Sequence, residues 1–193
     1  VTDVRKDSLV QVANAFRDLF LASNGGALGL FTAISRLQAT HDQIAPIIAD
    51  AGIPLYAQHI DPLPTATLVD IFRAEENACL LGTDAVRDGV DVPGRSLRLM
   101  VFDRVPWPRP DILHRARRKA FGARIYDDRI TRMRLKQAFG RLIRRNTDRG
   151  VFVLLDSMMP SRLLGAFPEA TPVERLGLAE VIKKTRQFLE SSN

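Results

Sequence analysis

Gln137, Gly140, Arg141 and Arg144 lie in the stretch QAFGRLIRRN (137–146). At helical pitch they are spaced i, i+3, i+4 and i+7 and share one face. Leu135, Ala138, Phe139 and Leu142 repeat the same spacing two positions back, roughly 200° around the helix. One face can pack while the other presents an amide, two guanidiniums and the bare backbone of Gly140. Arginine is costly to bury unpaired, and glycine weakens a helix by about 1 kcal/mol relative to alanine. Two guanidinium forks at fixed spacing suit the oxygens of a phosphate. The competing reading is a surface face paired with acidic neighbours.

A second group occupies GTDAVRDGVDVPG (82–94), where glycines, a proline and three aspartates follow an apolar run. As a ligand loop, its Thr83 and backbone amides would hold a phosphate and Asp91 would accept from a ribose hydroxyl. As a plain loop, the same residues would only turn the chain. No G-x-x-x-x-G-K-[ST] occurs in the sequence, so this chain lacks the usual phosphate cradle for ATP. His41, His59 and His114 have no metal-ligand spacing, and no metal site is expected. Cys79 falls within an apolar run, which suggests packing. Asp127-Asp128 resembles a helix N-cap region. Trp107, in VPWPRP, is suited to stacking on a base or to packing in a proline-flanked turn.

These groups need a scaffold. Apolar runs at 27–33, 53–58, 78–83, 97–103 and 151–156 read as buried strands. Amphipathic or capped segments at 7–22, 35–50 and 65–75, and one or two helices over 110–145, alternate with them. Asn24-Gly25-Gly26 reads as a helix stop and turn. Thr171-Pro172 reads as the start of a last helix, with Thr171 as N-cap. Strands without polar alternation, separated by helices, imply an α/β fold with a mainly parallel sheet covered on both faces. Ligands of such sheets collect beyond the carboxyl ends of the strands, which places FTAISR (31–36), the 82–94 loop and the Arg141 helix near any site.

Composition is ordinary for a globular chain, with 46% hydrophobic and 26% charged residues, and no apolar run approaches the roughly 20 residues of a membrane span. One cysteine excludes an intrachain disulfide, and a reducing, cytoplasmic setting is expected. The net charge of +6 is unevenly spread. Residues 104–149 carry 15 Lys/Arg against 4 Asp/Glu, a balance of +11, leaving 13 against 18, or −5, for the rest. Such a segment is either a solvated helical face or a phosphate-binding surface.

Three stretches together resemble the C-terminal motor domain of superfamily 2 DNA helicases, on the DinG-like branch related to the xeroderma group D helicase. LFTAISRL (30–37) resembles the motif IV region. LGTDAVRDGVDVPGRSLRLMVFDRVPWPRPD (81–111) resembles motif V and its following strand. QAFGRLIR (137–144) matches Q-x-x-G-R-x-I-R of motif VI at every defined position. The family's aromatic–Glu pair before Gly89 is Arg87-Asp88 here.

The resemblance implies a three-layer RecA-like domain spanning residues 1–193. It implies Arg144 as an arginine finger on the ATP γ-phosphate, with Arg141 beside it and Gln137 positioning nucleotide or water. Gly89, Asp91 and Gly140 would face the nucleotide, and Thr32, Ser35 and Thr83 the DNA backbone. Partners would be single-stranded DNA, tracked 5′ to 3′, and an N-terminal RecA-like domain of the same polypeptide. That first domain would bind most of the ATP and Mg²⁺ and would carry any iron–sulfur cluster. A non-catalytic nucleic-acid-binding module, or a nucleotide-binding regulatory domain, are the other readings.

Without a lysine-bearing phosphate loop, the 193-residue chain alone should show no ATP turnover, with or without DNA. A steady-state phosphate-release assay on rigorously purified chain checks this; turnover above background would contradict it.

Overall fold

The computed structural model describes residues 1–2, 8–89, 91–92, 94–145 and 147–191. Asp7, where the first helix was expected to start, and Val90, Pro93 and Asn146 of the two motif stretches lie outside the described residues. Five strands form one parallel sheet: β1 (Ala27–Leu30), β2 (Leu55–Ala57), β3 (Cys79–Gly82), β4 (Leu99–Phe102) and β5 (Val151–Leu154). Their order is β2-β3-β1-β4-β5, with Leu30 opposite both Gly82 and Phe102. The connection from β1 runs toward β2 and that from β4 toward β5, so the winding reverses at the β1–β4 pair.

The helices are α1 (Leu9–Ser23), α2 (Ile34–Asp50), α3 (Thr65–Ala74), α4 (Asp84–Gly89), α5 (Ile112–Phe121), α6 (Ala123–Leu142) and α7 (Leu178–Glu190). Alternate strand residues face opposite layers. Leu28, Leu80, Met100 and Leu154 meet Leu68 and Phe72 of α3, Val86 of α4 and Leu135 and Ala138 of α6. Ala27, Cys79, Leu81 and Val101 meet Phe16 and Phe20 of α1 and Ile44 and Ile48 of α2, with Val181 and Ile182 of α7 packed against them. Both faces are covered, as the unbroken apolar strands require. Burial pushes the Cys79 thiol up to about 12, so it stays protonated as a packing group.

Local chemistry sets the boundaries. Ser8 caps α1 by accepting from the Gln11 amide, and Asn24 ends it in the left-handed region at φ 51°. Gly25 follows at φ 81°, where a Cβ would sit 1.8 Å from the Asn77 carbonyl oxygen. The basic segment forms two helices, broken at Gly122.

Three expectations need correction. The 82–94 stretch is not simply a loop: Thr83 precedes the short helix α4, and Gly94–Ser96 form a 3₁₀ turn. The final helix begins at Leu178, not at Pro172. The Thr171 amide instead closes a turn on the Pro168 carbonyl, and the Leu176 amide donates to the Val1 carbonyl, setting Leu176 beside Thr2. Asp127 and Asp128 do not cap a helix but lie inside α6. Asp127 pairs with His114 Nε2 at 2.9 Å and Arg118 at 3.1 Å, and Asp128 pairs with Arg162 at 2.6 Å.

A tight point of the core is Gly29 in the central strand, where a Cβ would lie 2.7 Å from both Leu81 Cδ2 and Phe16 Cε1. The Phe16 ring is stacked on Phe31 at 4.6 Å and has little freedom to yield. Gly29→Ala should therefore destabilise the chain by about 1–3 kcal/mol, measured by denaturant unfolding.

Candidate nucleotide and nucleic-acid clefts

Strands covered on both faces leave most polar groups at their ends. Two clefts open there, separated by α6 and α4.

The first has a volume of about 880 Å³ and is lined by Gln137, Gly140, Arg141 and Arg144, facing Arg87 and Asp88 of α4. The opposite side of α6 packs as expected, with Leu135, Ala138 and Leu142 buried and Phe139 meeting Phe152 at a tilt and Phe167 edge-on. Nothing lies within 4 Å of where a Gly140 Cβ would be, so the backbone there is open to a ligand. Helical spacing, however, does not deliver Arg144. The helix ends at Leu142, and Ile143 is extended at φ −119° and ψ 104°. Arg144 reaches the cleft through that extended exit. Asp148 holds the exit by accepting from the Arg144 and Arg145 amides, both at 2.8 Å.

Both arginines have resting partners. Arg144 pairs with the Asp91 carboxylate, and Arg141 Nη2 donates to the Asp88 carbonyl at 3.2 Å. The Asp91 carbonyl in turn accepts from Arg73 Nε at 2.8 Å. Gly89 closes α4 beside Asp88, with open space where its Cβ would be. The structure thus brings Gln137, Gly140, Arg141, Arg144 and Asp91 together, and Gly89 next to them. Arg87, one of the departures in the motif V resemblance, is buried and paired at 3.0 Å with both Asp84 and Asp88.

The second cleft, about 540 Å³, contains Thr83 with Gln58, His59, Arg109, Arg117 and Arg134 on its walls. Thr32 lies between β1 and α2 and Ser35 in the first turn of α2, whose first residue, Ile34, reaches this cleft. Thr32 is fixed by its backbone: its amide donates to Asp103 Oδ1 at 3.1 Å and its carbonyl accepts from Arg109 at 2.8 Å. Ser35 is exposed in the first turn of α2. Asp103, fully buried at the end of β4, bridges the β1–β4 reversal and pairs with Arg36 at 2.7 Å. Burial pushes its carboxyl above the usual range, opposed by Arg36. Arg134 lines both clefts and is held by the Pro106 and Trp107 carbonyls, each at 3.1 Å.

Gln58, Asp103, Arg109, Arg117 and Arg134 were not singled out from sequence. A signal existed for two of them. Gln58 and Asp103 are polar residues directly following buried apolar strands, the position where ligands collect in such sheets. Among the described residues, no group of three or more His, Cys, Asp or Glu could hold a metal ion, and no helix is long and apolar enough to cross a membrane.

A five-stranded parallel sheet wound this way, with arginines gathered beyond one helix, is a RecA-like α/β domain. The solved XPD helicase shares the fold at a TM-score of 0.56 and 16% identity, over 98% of this chain and 33% of that one. Residues 16–173 match the family model described as the helicase C-terminal domain, and the chain belongs to that family. The ATP-dependent helicase DinG of Mycobacterium tuberculosis is 38% identical over 161 residues, 80% of this chain and 24% of its own length. The ATP-dependent DNA helicase YoaA of Escherichia coli is 32% identical over 81% of this chain and 25% of its own. The chain spans about a quarter of the length of these curated relatives.

The two backbone bonds at Asp148 hold its carboxyl below the usual aspartate range. A depressed folded-state value means that the stabilisation is complete above the unfolded value of about 3.9 and is lost as pH falls through the folded value. Asp148→Asn keeps the acceptor but removes the charge. It should melt modestly below wild type near neutrality, with the gap closing as pH falls below about 4, as thermal melts across pH would show.

Proposed function

We propose that this chain is the second motor domain of an ATP-dependent, single-strand-tracking DNA helicase. The observation carrying the proposal is the convergence of Arg141 and Arg144 on one open cleft beside the bare backbone of Gly140. These residues fit an outer phosphate of ATP, while metal binding falls to the first motor domain. The bound nucleotide supplies a γ-phosphoryl group whose charge spreads over its oxygens as it transfers. Arg144 leaves Asp91 to contact those oxygens, Arg141 orients the phosphate, and Gln137 positions nucleotide or water. Gly89 and Asp91 complete the nucleotide side.

Thr32, Ser35 and Thr83 contact the backbone of the strand, with Arg109, Arg117 and Arg134 supplying phosphate charge. Movement runs 5′ to 3′, as the resemblance implies. The homologues named ATP-dependent helicases support this reading over that of a non-catalytic module.

In the full-length polypeptide, Arg144→Ala should lower DNA-stimulated ATP hydrolysis by about 10³-fold or more and leave single-strand binding within a few-fold. Arg144→Lys should recover little, since an ammonium loses the planar fork. The isolated chain should lose little stability, because the Arg144–Asp91 pair is solvent-facing, with the two side chains 27% and 59% exposed. Steady-state ATPase assays with saturating single strands, alongside thermal melts, test this. Near-normal hydrolysis by the alanine variant would remove the finger assignment, and a large loss of melting temperature would make Arg144 a structural pair instead.

A further inference from the structure

We propose that Gln58 is a positioning residue that couples the two clefts through α4. Gln58 is 6% exposed, and both ends of its side chain are bonded. Oε1 accepts from both the amide and the hydroxyl of Thr83, each at 2.9 Å, and Nε2 donates to Thr65 Oγ1 at 3.1 Å. Its own amide is tied to the Leu81 carbonyl at 2.9 Å. The chain then leaves β2 through His59 at φ 69°, a conformation costly for a non-glycine residue, and Asp61 closes the turn on the Ala57 amide at 2.7 Å. One amide side chain therefore fixes the end of β3 to the end of β2 and to the first residue of α3.

Thr83 is also the point from which α4 hangs. Its carbonyl accepts from the Val86 and Arg87 amides, and Val86 is seated so closely on β3 that a Cβ at Gly82 would lie 2.4 Å from it. Arg87 braces the helix through Asp84 and Asp88. The far end of the same six-residue helix presents the Asp88 carbonyl to Arg141. A helix this short and this braced moves as one piece. A strand pressing on Thr83 in one cleft therefore shifts Asp88, and with it Arg141, in the other. Gln58, on the wall of the second cleft, sets the resting position of that lever from outside the arginine cleft.

The inference rests on the motor reading, and its test separates the two. In the full-length polypeptide, ATP hydrolysis is measured with and without saturating single-stranded DNA, together with strand affinity and thermal melts. Gln58→Met keeps length and removes all three side-chain hydrogen bonds. It should lower the ratio of stimulated to unstimulated hydrolysis by about tenfold, with strand affinity changed far less. Gln58→Glu keeps an acceptor for Thr83, and the Thr65 hydroxyl can donate to it. It should retain most of the ratio at saturating DNA, a rescue that a purely structural role would not show.

A wild-type ratio in Gln58→Met, or an equal loss in Gln58→Glu, would overturn the proposal. Should Gln58→Met fail to fold, Thr65→Val decides: it loosens only the amide end of Gln58, a reduced ratio supports the coupling, and an unchanged ratio overturns it. Absence of DNA-stimulated hydrolysis in the wild type would instead sink the motor reading.

Discussion

A parallel sheet covered on both faces is the constraint from which the rest follows. Leu28, Leu80, Met100 and their alternates are buried on both sides of the sheet, so no strand interior can carry an exposed polar group. Chemistry is displaced to the strand ends and to helix faces turned from the sheet. Gln58, Thr83 and Asp103 each occupy the first position beyond a strand. Asp103 shows what that position costs: its carboxylate gives up water, and Arg36 and the Thr32 amide replace it. The reversal of winding between β1 and β4 makes room for such a group, and the Asp103 bridge holds the two departing loops in register.

The two arginines of the first cleft illustrate a different economy. Each has a partner of modest strength, a carbonyl for Arg141 and a solvent-facing carboxylate for Arg144. Exposed pairs of that kind contribute about 0–1 kcal/mol, so exchanging them for phosphate oxygens costs little. They are enough to keep two long side chains from wandering while the cleft is empty.

The layers were legible in the sequence because apolar runs without alternation have few alternatives, and the packing face of α6 was legible because Leu135, Ala138 and Leu142 repeat at helical period. The membership of the arginine cleft was legible too, although the means of reaching it was not. Ile143 leaves the helix because the chain must return to β5 within a few residues, where Gly150 is pressed against Leu142, and because Asp148 offers the Arg144 and Arg145 amides an acceptor outside the helix. Both causes are contacts across the turn and leave no periodic trace. Helix α4 was missed because six residues are too few to show a period. Pro172 misled for a third reason. Its preference for a first helical turn is weaker than the bonds that draw Leu176 alongside Val1.

Those same bonds have a bearing on how the domain meets other molecules. The outer edge of β5 is occupied: the Thr2 amide donates to the Leu154 carbonyl, and Thr2 is itself bridged by Leu176. At the opposite edge β2 is only three residues long. Edges that are short or covered resist strand addition and edge-to-edge aggregation. Little open sheet edge is left for docking, which favours association through strand-end loops and helix faces, where charge and shape rather than open backbone choose the partner.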